Sequence, residues 1–281
     1  MRRLSIQDHS RQAVGMAYVY PVLSRRAGGV SVGINLNPNH ACNWRCIYCQ
    51  VPNLTRGGAP PIDLGRLESE LAAMLAALFA GDYLARHAPP EAQRVVDIAF
   101  SGDGEPTSAR EFPDAVEIAA RLRAALRVEE PPRLRLITNG SLVDRPAVAR
   151  GIAKIGEEGG EVWFKVDAVG AAAMRRINGV AYAPATVLRR LIECTRLAPT
   201  WVQTCLFALD GKPPGEAELE AYLALIEAAA QQLAGVHLYG LARPSQQPEA
   251  PRLAALPAAW LEEFAGRIVK AGGGLTVKVS P

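Results

Sequence analysis

The sequence lacks three features that would narrow its class at once: a strong excess of charge, a long apolar run and many cysteines. Its net charge is only +3, whereas a dedicated nucleic-acid-binding protein usually shows a strong basic excess or stripe. Its most apolar segment, residues 71–81, is shorter than the roughly 20 residues of a membrane-spanning helix. No apolar stretch typical of a secretory signal follows the first arginines. We therefore expect a protein of the cytoplasm.

The few cysteines are unevenly placed. Three of the five stand close together, as Cys42, Cys46 and Cys49. An odd number with a tight cluster is not typical of a disulfide framework, and thiolates that hold metal must stay reduced. Thiolates bind zinc or iron–sulfur centres, but a closed tetrahedral site needs four ligands. Either His40 completes a Cys3His zinc site, or an iron–sulfur cluster keeps one iron without a protein ligand.

Short apolar runs alternate with longer amphipathic segments along the 281 residues. This alternation indicates parallel strands joined by crossover helices in a single α/β domain. Strands are predicted over residues 30–37, 95–101, 133–139, 161–168, 200–209, 235–242 and 274–280. Helices are predicted over residues 62–81, 111–126, 144–156, 183–197, 216–234 and 256–272. We expect Asp63 to cap the first helix and Asp144 to cap the third.

Two architectures fit these alternating units, an open doubly wound sheet and a barrel. The strand over 30–37 is not followed by a tight glycine turn into a helix. Residues 38–61, which contain the clustered cysteines, separate it from the next helix. A long loop at the carboxyl end of a parallel strand commonly carries the chemistry of such folds. Residues 13–24 predict a further strand or hairpin at the N-terminus.

Polar residues follow the later strands at the point where each one ends. The second strand leads into SGDGEPT (101–107), the third into TNG (138–140), and the fourth ends with Lys165 and Asp167 on one face. Charged groups inside a barrel are costly unless they are paired or used, and glycines allow close backbone approach. Each segment alone also fits an ordinary turn. Their placement at successive strand ends indicates a binding site.

Together these motifs resemble the radical S-adenosylmethionine (radical SAM) superfamily. CNWRCIYC, with Tyr48 before the third cysteine, is similar to its C-x3-C-x2-C loop, and Asp103-Gly104-Glu105 is similar to its glycine-glycine-glutamate motif. The resemblance covers roughly residues 18–245, and is strongest to stand-alone Fe–S oxidoreductase-like proteins related to the wyosine-type tRNA-modifying enzymes. It implies a partial (βα)6 TIM-like barrel with an N-terminal strand or hairpin and a short C-terminal extension. We expect residues 1–29 to form an N-terminal extension, 30–245 the barrel, and 246–281 a C-terminal helix and strand.

The resemblance also implies a reaction and its residues. The cluster cysteines hold a [4Fe–4S] cluster that cleaves SAM reductively, and the resulting 5′-deoxyadenosyl radical abstracts hydrogen from a substrate. A flavodoxin or ferredoxin is the implied reducing partner. The metal ligands expected are Cys42, Cys46 and Cys49. The residues expected to bind SAM are Tyr48, Gly102, Asp103, Gly104, Glu105, Thr138, Asn139, Lys165 and Asp167. The residues expected to contact the substrate are Gln203, Tyr239, Arg243 and Arg56.

Several alternatives stay open at this stage. A small metabolite and a nucleic-acid base rank equally as substrate; for the latter, phosphates would contact arginines near the cysteine loop, namely Arg25, Arg26, Arg45 and Arg56. A peptide-modifying or glycyl-radical-activating enzyme ranks below both. A zinc-stabilised α/β interaction protein is the hypothesis outside enzymes. We expect Cys194 and His237 to belong to the core.

Overall fold

The computed structural model describes Leu4, residues 15–24 and residues 26–281. Its main feature is an eight-stranded sheet in which the strands follow one another in chain order. The strands are β1 (Val19–Ser24), β2 (Gly29–Ile34), β3 (Val95–Phe100), β4 (Arg133–Thr138), β5 (Glu161–Lys165), β6 (Thr200–Cys205), β7 (Gly235–Tyr239) and β8 (Val277–Ser280). β1 is antiparallel to β2, and all later pairs are parallel.

Helices connect the parallel strands and cover the outside of the sheet. They are α1 (Leu64–Phe79), α2 (Tyr83–His87), α3 (Phe112–Ala124), α4 (Pro146–Glu157), α5 (Ala171–Asn178), α6 (Pro184–Leu197), α7 (Glu216–Ala229) and α8 (Ala258–Ala271). From β2 to β7, each strand is followed by at least one helix, which gives six βα units in a curled sheet. The predicted partial (βα)6 barrel with an N-terminal hairpin is confirmed. The finer division into residues 1–29, 30–245 and 246–281 stays a prediction.

The two faces of the sheet differ in chemistry, because successive side chains of a strand point to opposite sides. The outward face is apolar and packs on the helices, with fully buried residues such as Ile34, Phe100 and Leu136. The inward face carries polar and aromatic residues that border a cavity; they include Ser31, Asp97, Arg135, Trp163, Lys165 and Gln203. The barrel is therefore sealed on its outside and polar within.

Most element boundaries lie within a few residues of those predicted, but three differences stand out. The eight-residue helix α5 falls between the predicted strand 161–168 and the predicted helix 183–197, where no element was predicted. The strand predicted over 200–209 ends at Cys205, and residues 208–209 pair with 253–254 in a separate two-stranded sheet. Residues 41–42 of the cysteine loop likewise pair with 55–56 of the same loop. These short pairings depend on the paths of loops, which periodicity does not encode.

The two predicted N-caps have different outcomes. Asp63 caps α1, because its carboxylate accepts a hydrogen bond from the Arg66 backbone N–H at 3.0 Å. Asp144 is not a cap, because α4 begins at Pro146 and the preceding residue takes the cap position. The Asp144 carboxylate instead lies 3.4 and 3.3 Å from the guanidinium nitrogens of Arg189 and Arg190. Within the described part of the chain, none of the helices is long and apolar enough to span a bilayer.

Candidate active site

The carboxyl ends of the parallel strands surround a cavity of about 310 Å³. The loop that follows β2 brings Cys42, Cys46 and Cys49 to this cavity, and the segments that follow β3, β4 and β5 lie beside it. We call this outer end the rim, formed by residues 35–51, 101–105, 138–141 and 165–167. The rest of the cavity, which we call the inner half, is bordered by the side chains of the strands themselves and by Arg26. Lys165, the last residue of β5, lies where the rim and the inner half meet. The topology thus brings the cysteine loop and the later motifs to one place, as the sequence predicted.

The three thiols are half-buried, and two of them accept hydrogen bonds suited to thiolates. Cys42 Sγ accepts from the Trp44 backbone N–H at 3.4 Å, and Cys46 Sγ accepts from Asn178 Nδ2 at 3.3 Å. Burial raises the pKa of Cys42 to about 12, and it also raises the pKa of Cys46, where the charge of Asp167 adds to the effect. Buried thiolates need a compensating positive charge. The donor set therefore fits an iron–sulfur centre.

The imidazole of His40 contacts residues other than the cysteines. Its Nδ1 lies 3.1 Å from the carbonyl oxygen of Pro52, and its Nε2 lies 3.8 Å from a carboxylate oxygen of Asp103. Across the residues that the structure describes, no group of three His, Cys, Asp or Glu side chains is placed to hold a single metal ion. The fourth ligand that the zinc hypothesis requires is thus engaged elsewhere.

Asparagines tie the cysteine loop to the segments after β3 and β4. Asn35 Nδ2 donates to the Asp103 carboxylate at 2.7 Å, and its Oδ1 accepts from the Asp103 backbone N–H at 3.0 Å. Asn139 Nδ2 donates to Asn43 Oδ1 at 2.8 Å, and Asn43 Nδ2 donates to Ser141 Oγ at 2.8 Å. These bonds hold the cysteine loop in position against its neighbours.

Glu105 joins the second and third segments of the rim. One oxygen of its carboxylate accepts from the Thr107 and Thr138 hydroxyls, each at 2.6 Å, and the other accepts from the Asn139 backbone N–H at 2.7 Å. Burial raises the pKa of this carboxyl, and the hydrogen bonds oppose that shift. Gly102 and Gly104 also lie against the cysteine loop; a Cβ on Gly104 would lie 2.1 Å from the Ala41 carbonyl oxygen. Glycine is therefore required there for close approach.

Lys165 and Asp167 lie on one face, as predicted, and form a pair at 3.4 Å. Asp167 also accepts from the Tyr48 hydroxyl at 2.5 Å and from Asn178 Nδ2 at 3.1 Å. Lys165 Nζ lies 2.9 Å from the hydroxyl of Tyr239. Burial alone would lower the pKa of Lys165, but the negative charge of Asp167 outweighs it and raises the pKa. The ammonium is therefore charged beside the cavity.

The predicted substrate residues fall into two groups. Gln203, Tyr239 and Arg243 line the cavity, the first two in its inner half. Arg56 is exposed and donates to the Gly179 carbonyl oxygen at 3.3 Å, so the structure does not bring it into the cavity. Arg25 lies outside the described residues.

The two residues expected in the core are buried. Cys194 lies on the buried face of α6, and burial raises its pKa to about 12. His237 lies between the rings of Trp163 and Trp201, with centroid distances of 4.4 and 4.7 Å. Burial, together with the nearby cation of Lys278, lowers the pKa of His237 to about 3. Both predictions are confirmed by this packing.

Sequence reasoning missed the asparagines of the site. Asn35, Asn43 and Asn178 all contact residues predicted to hold the cluster or SAM. A signal was present, because Asn35 precedes the cysteine loop, Asn43 lies within it next to Cys42, and Asn178 is the last residue of α5. Asparagine is so common in turns that such positions do not stand out in a single sequence.

Comparisons with known proteins agree with this geometry. Residues 36–221 match the family model described as "Radical SAM superfamily". The UPF0026 protein of Helicobacter pylori is 28% identical over 160 residues, which make up 56% of this chain and 44% of that protein. The chain thus matches less than half the length of this curated relative.

Solved structures show the same fold. A radical SAM methyltransferase from Sphaerobacter thermophilus aligns with a TM-score of 0.54 and 16% identity, over 93% of this chain and 68% of its own. A mutant spore photoproduct lyase with bound AdoMet and dinucleoside spore photoproduct aligns with a TM-score of 0.57 and 12% identity, over 92% and 78%. Since the family model covers most of the chain, including all three clustered cysteines, this protein belongs to the radical SAM superfamily, whose enzymes use a [4Fe–4S] cluster and SAM.

Proposed function

We propose that this radical SAM enzyme holds its [4Fe–4S] cluster through Cys42, Cys46 and Cys49. The observation that carries the proposal is that three thiols from one loop border a single cavity, while His40 is bonded elsewhere. Three thiolates leave one iron of the cluster without a protein ligand, which suits it to bind SAM. When bound and reduced, the cluster supplies the electron that cleaves SAM to methionine and the 5′-deoxyadenosyl radical.

The rim is the proposed site for SAM. Tyr48, Lys165, Asn139 and the segment from Gly102 to Glu105 border the same cavity as the thiols, which supports their assignment to the cofactor. Thr138 and Asp167 do not border the cavity themselves, but each forms a hydrogen bond with a residue that does, namely Glu105 and Tyr48. The Lys165 ammonium supplies the positive charge that a SAM carboxylate needs. The remaining rim residues hold the loops in place and keep water from the radical.

The substrate we propose is a small polar molecule bound in the inner half of the cavity. The polar side chains on the inward face of β3 to β7 support this choice, because a packed barrel interior is usually apolar. The nucleic-acid alternative has less support. Of the described arginines expected to hold phosphates, Arg45 forms a bidentate pair with Glu249, Arg56 lies outside the cavity, and only Arg26 borders it.

The branch within the superfamily and the electron donor remain proposals. Likeness to the wyosine-related group rests on sequence motifs alone. A flavodoxin or ferredoxin is the donor class we propose, because the cluster must receive single electrons at low potential.

The test is anaerobic incubation of the protein with SAM and dithionite, followed by detection of 5′-deoxyadenosine and methionine. We expect both products, in equal amounts. Adding deuterated pools, either of small metabolites or of nucleosides and RNA, should then move deuterium into 5′-deoxyadenosine from the metabolite pool. Transfer from the RNA pool instead would contradict the substrate proposal, and absence of SAM cleavage would contradict the cluster assignment.

A further inference from the structure

One arginine that borders the inner half of the cavity does not come from a strand or from the loops at the rim. Arg26 lies in the turn between β1 and β2, and it borders the cavity together with β4 to β7. Its guanidinium carbon lies 4.4 Å from the ring centre of Tyr239 and 5.6 Å from that of Trp163. Cation–π contacts with two rings hold the guanidinium in a fixed place.

The strand register places Gln203 between the two aromatic residues that contact this guanidinium. Trp163 on β5 and Tyr239 on β7 flank β6 on its two sides. The residues of β6 with which they pair lie two positions before and two positions after Gln203, respectively. Gln203 therefore stands on the diagonal of the sheet between the two aromatic residues. Since the side chains alternate, all of these residues face the same cavity.

Both residues present hydrogen-bond donors that nothing in the described part of the protein satisfies. Arg26 Nη1 and Gln203 Nε2 are buried without a hydrogen-bond partner, and Gln203 is only 1% exposed. The neighbouring Arg135 differs, because Asp97 and Glu161 both pair with it. No carboxylate of the described residues forms an ion pair with Arg26. Buried donors without acceptors are costly in a folded protein, so their arrangement indicates a ligand.

The chemistry of that ligand follows from what is left unsatisfied. Among the described residues that border the cavity, a third unpartnered donor is Trp44 Nε1, at the cysteine loop. A ligand must therefore bring acceptors, and an arginine without a carboxylate favours acceptors that carry negative charge. Building on the function proposed above, we propose that Arg26 and Gln203 bind the anionic group, a carboxylate or a phosphate, of a small substrate.

This site also orients the substrate. The cavity runs from the inner donors to the three thiols at the rim. An anionic group held by Arg26 and Gln203 directs the rest of the molecule towards the cysteine loop, where SAM is proposed to bind. Substrates without an anionic group would lose this anchor and would not be held in one orientation.

The test uses anaerobically purified, cluster-loaded protein saturated with SAM, so that the SAM carboxylate has its own site filled. The midpoint of thermal unfolding is measured in sodium chloride, sodium phosphate and sodium acetate at equal ionic strength. We expect phosphate or acetate to raise the midpoint by about 2–4 °C above chloride, because an anion that binds the native state stabilises it. The anion that acts identifies the group as phosphate or carboxylate.

Variants locate the effect. Arg26→Gln removes the positive charge. Gln203→Glu replaces the donor with a negatively charged acceptor of equal size, which repels an anion. Each variant should abolish the rise in the unfolding midpoint. Arg94→Gln is the matched control, because Arg94 is exposed and contacts the same turn from outside, at the Gly28 carbonyl oxygen. It should retain the rise. No stabilisation beyond chloride in the wild type would overturn the proposal, and so would an unchanged response in both cavity variants.

The two proposals fail separately. A protein that forms 5′-deoxyadenosine from SAM but shows no anion effect keeps its proposed function and loses the anion site. A protein that shows the Arg26-dependent anion effect but does not cleave SAM keeps the anion site and loses the proposed reaction.

Discussion

The rim and the inner half of the cavity are both lined with polar side chains, but they use them differently. At the rim, most polar groups bond one another, although the described residues give Trp44 Nε1 and Asn37 Oδ1 no partner: Glu105 accepts from three residues, and Asn139 links Glu105 to Asn43. In the inner half, Arg26 and Gln203 keep buried donors that no described residue satisfies. A hydrogen-bond network whose groups are satisfied holds the backbone in place, whereas unsatisfied donors can bind a ligand.

This difference indicates a division of labour along one cavity. The rim holds four segments of chain in a fixed arrangement around the thiols, as a precise cofactor site requires. The inner half leaves groups available for a molecule that comes and goes. The predictions below test the two halves separately.

The largest effect is expected at the cysteine loop. Cys46→Ala removes one of the three proposed thiolates, so SAM cleavage should fall to background while the fold is kept. The measurements are iron content, circular dichroism and 5′-deoxyadenosine formation. Cys194→Ala is the control, because that thiol is buried in the core away from the cavity, and it should retain activity. Continued 5′-deoxyadenosine formation by Cys46→Ala would show that this cysteine is not a ligand.

The next largest effect is expected for the rim network. Asp167→Ala removes the carboxylate that pairs with Lys165 and accepts from the Cys205 backbone N–H. Loss of one partner of a buried ion pair costs about 3–5 kcal/mol of unfolding free energy. Asp144→Ala removes a surface carboxylate paired with two arginines, and should cost less than about 1 kcal/mol. Urea unfolding measures both. Equal losses would show that the rim is no more tightly bonded than the surface.

A smaller, pH-dependent effect is expected behind the inner half, where His237 packs against Trp163. The pKa of His237 is lowered to about 3 in the folded protein, by burial and by the cations of Lys278, Arg26 and Arg135, against the opposing charge of Glu161. Between that value and its ordinary pKa near 6.5, only the unfolded chain binds the proton, so stability falls as the pH falls.

The expected loss is about 2 kcal/mol between about pH 7.5 and pH 5. His237→Phe should remove this part of the pH dependence, which urea unfolding at several pH values would measure. A wild type and variant with identical pH profiles would mean that His237 titrates normally in the folded state.

The smallest effect is expected at the link between the rim and the cluster. Asn178→Leu removes the N–H donor to Cys46 Sγ, and such donors stabilise the reduced cluster. If the bond contributes about 1 kcal/mol, the midpoint potential should fall by roughly 40 mV. Potentiometric titration monitored by electron paramagnetic resonance measures the shift. Asn39→Ala is the control, because Asn39 lies on the same loop but donates to the Gly58 carbonyl oxygen; an equal shift there would remove the specific role of Asn178.

The fold and the ligand loop were predictable because they follow from short-range patterns. Parallel strands bring their carboxyl ends to one edge, so Glu105, Asn139 and Lys165 could be assigned to one site before their contacts were known. The expected interior position of His237 and the cap at Asp63 also follow from local sequence.

The contacts that complete the site were not predictable from local sequence. Asn178 and Cys46 are separated by 132 positions, and Asn139 and Asn43 by 96. Arg26 was grouped with the arginines near the cysteine loop, yet its turn precedes β2 while that loop follows it. The two therefore lie at opposite ends of the strand. Whether a side chain in this turn reaches the cavity depends on the curvature of the sheet, and the spacing of residues along the sequence does not encode that curvature.

The central claim is that three thiolates hold a cluster that leaves one iron for SAM. Electron paramagnetic resonance of the dithionite-reduced, anaerobically purified protein, recorded with and without SAM, tests it most directly. The account predicts the signal of a reduced iron–sulfur cluster that changes when SAM is added. A signal that saturating SAM leaves unchanged, or a colourless protein that contains zinc and gives no signal, would contradict it.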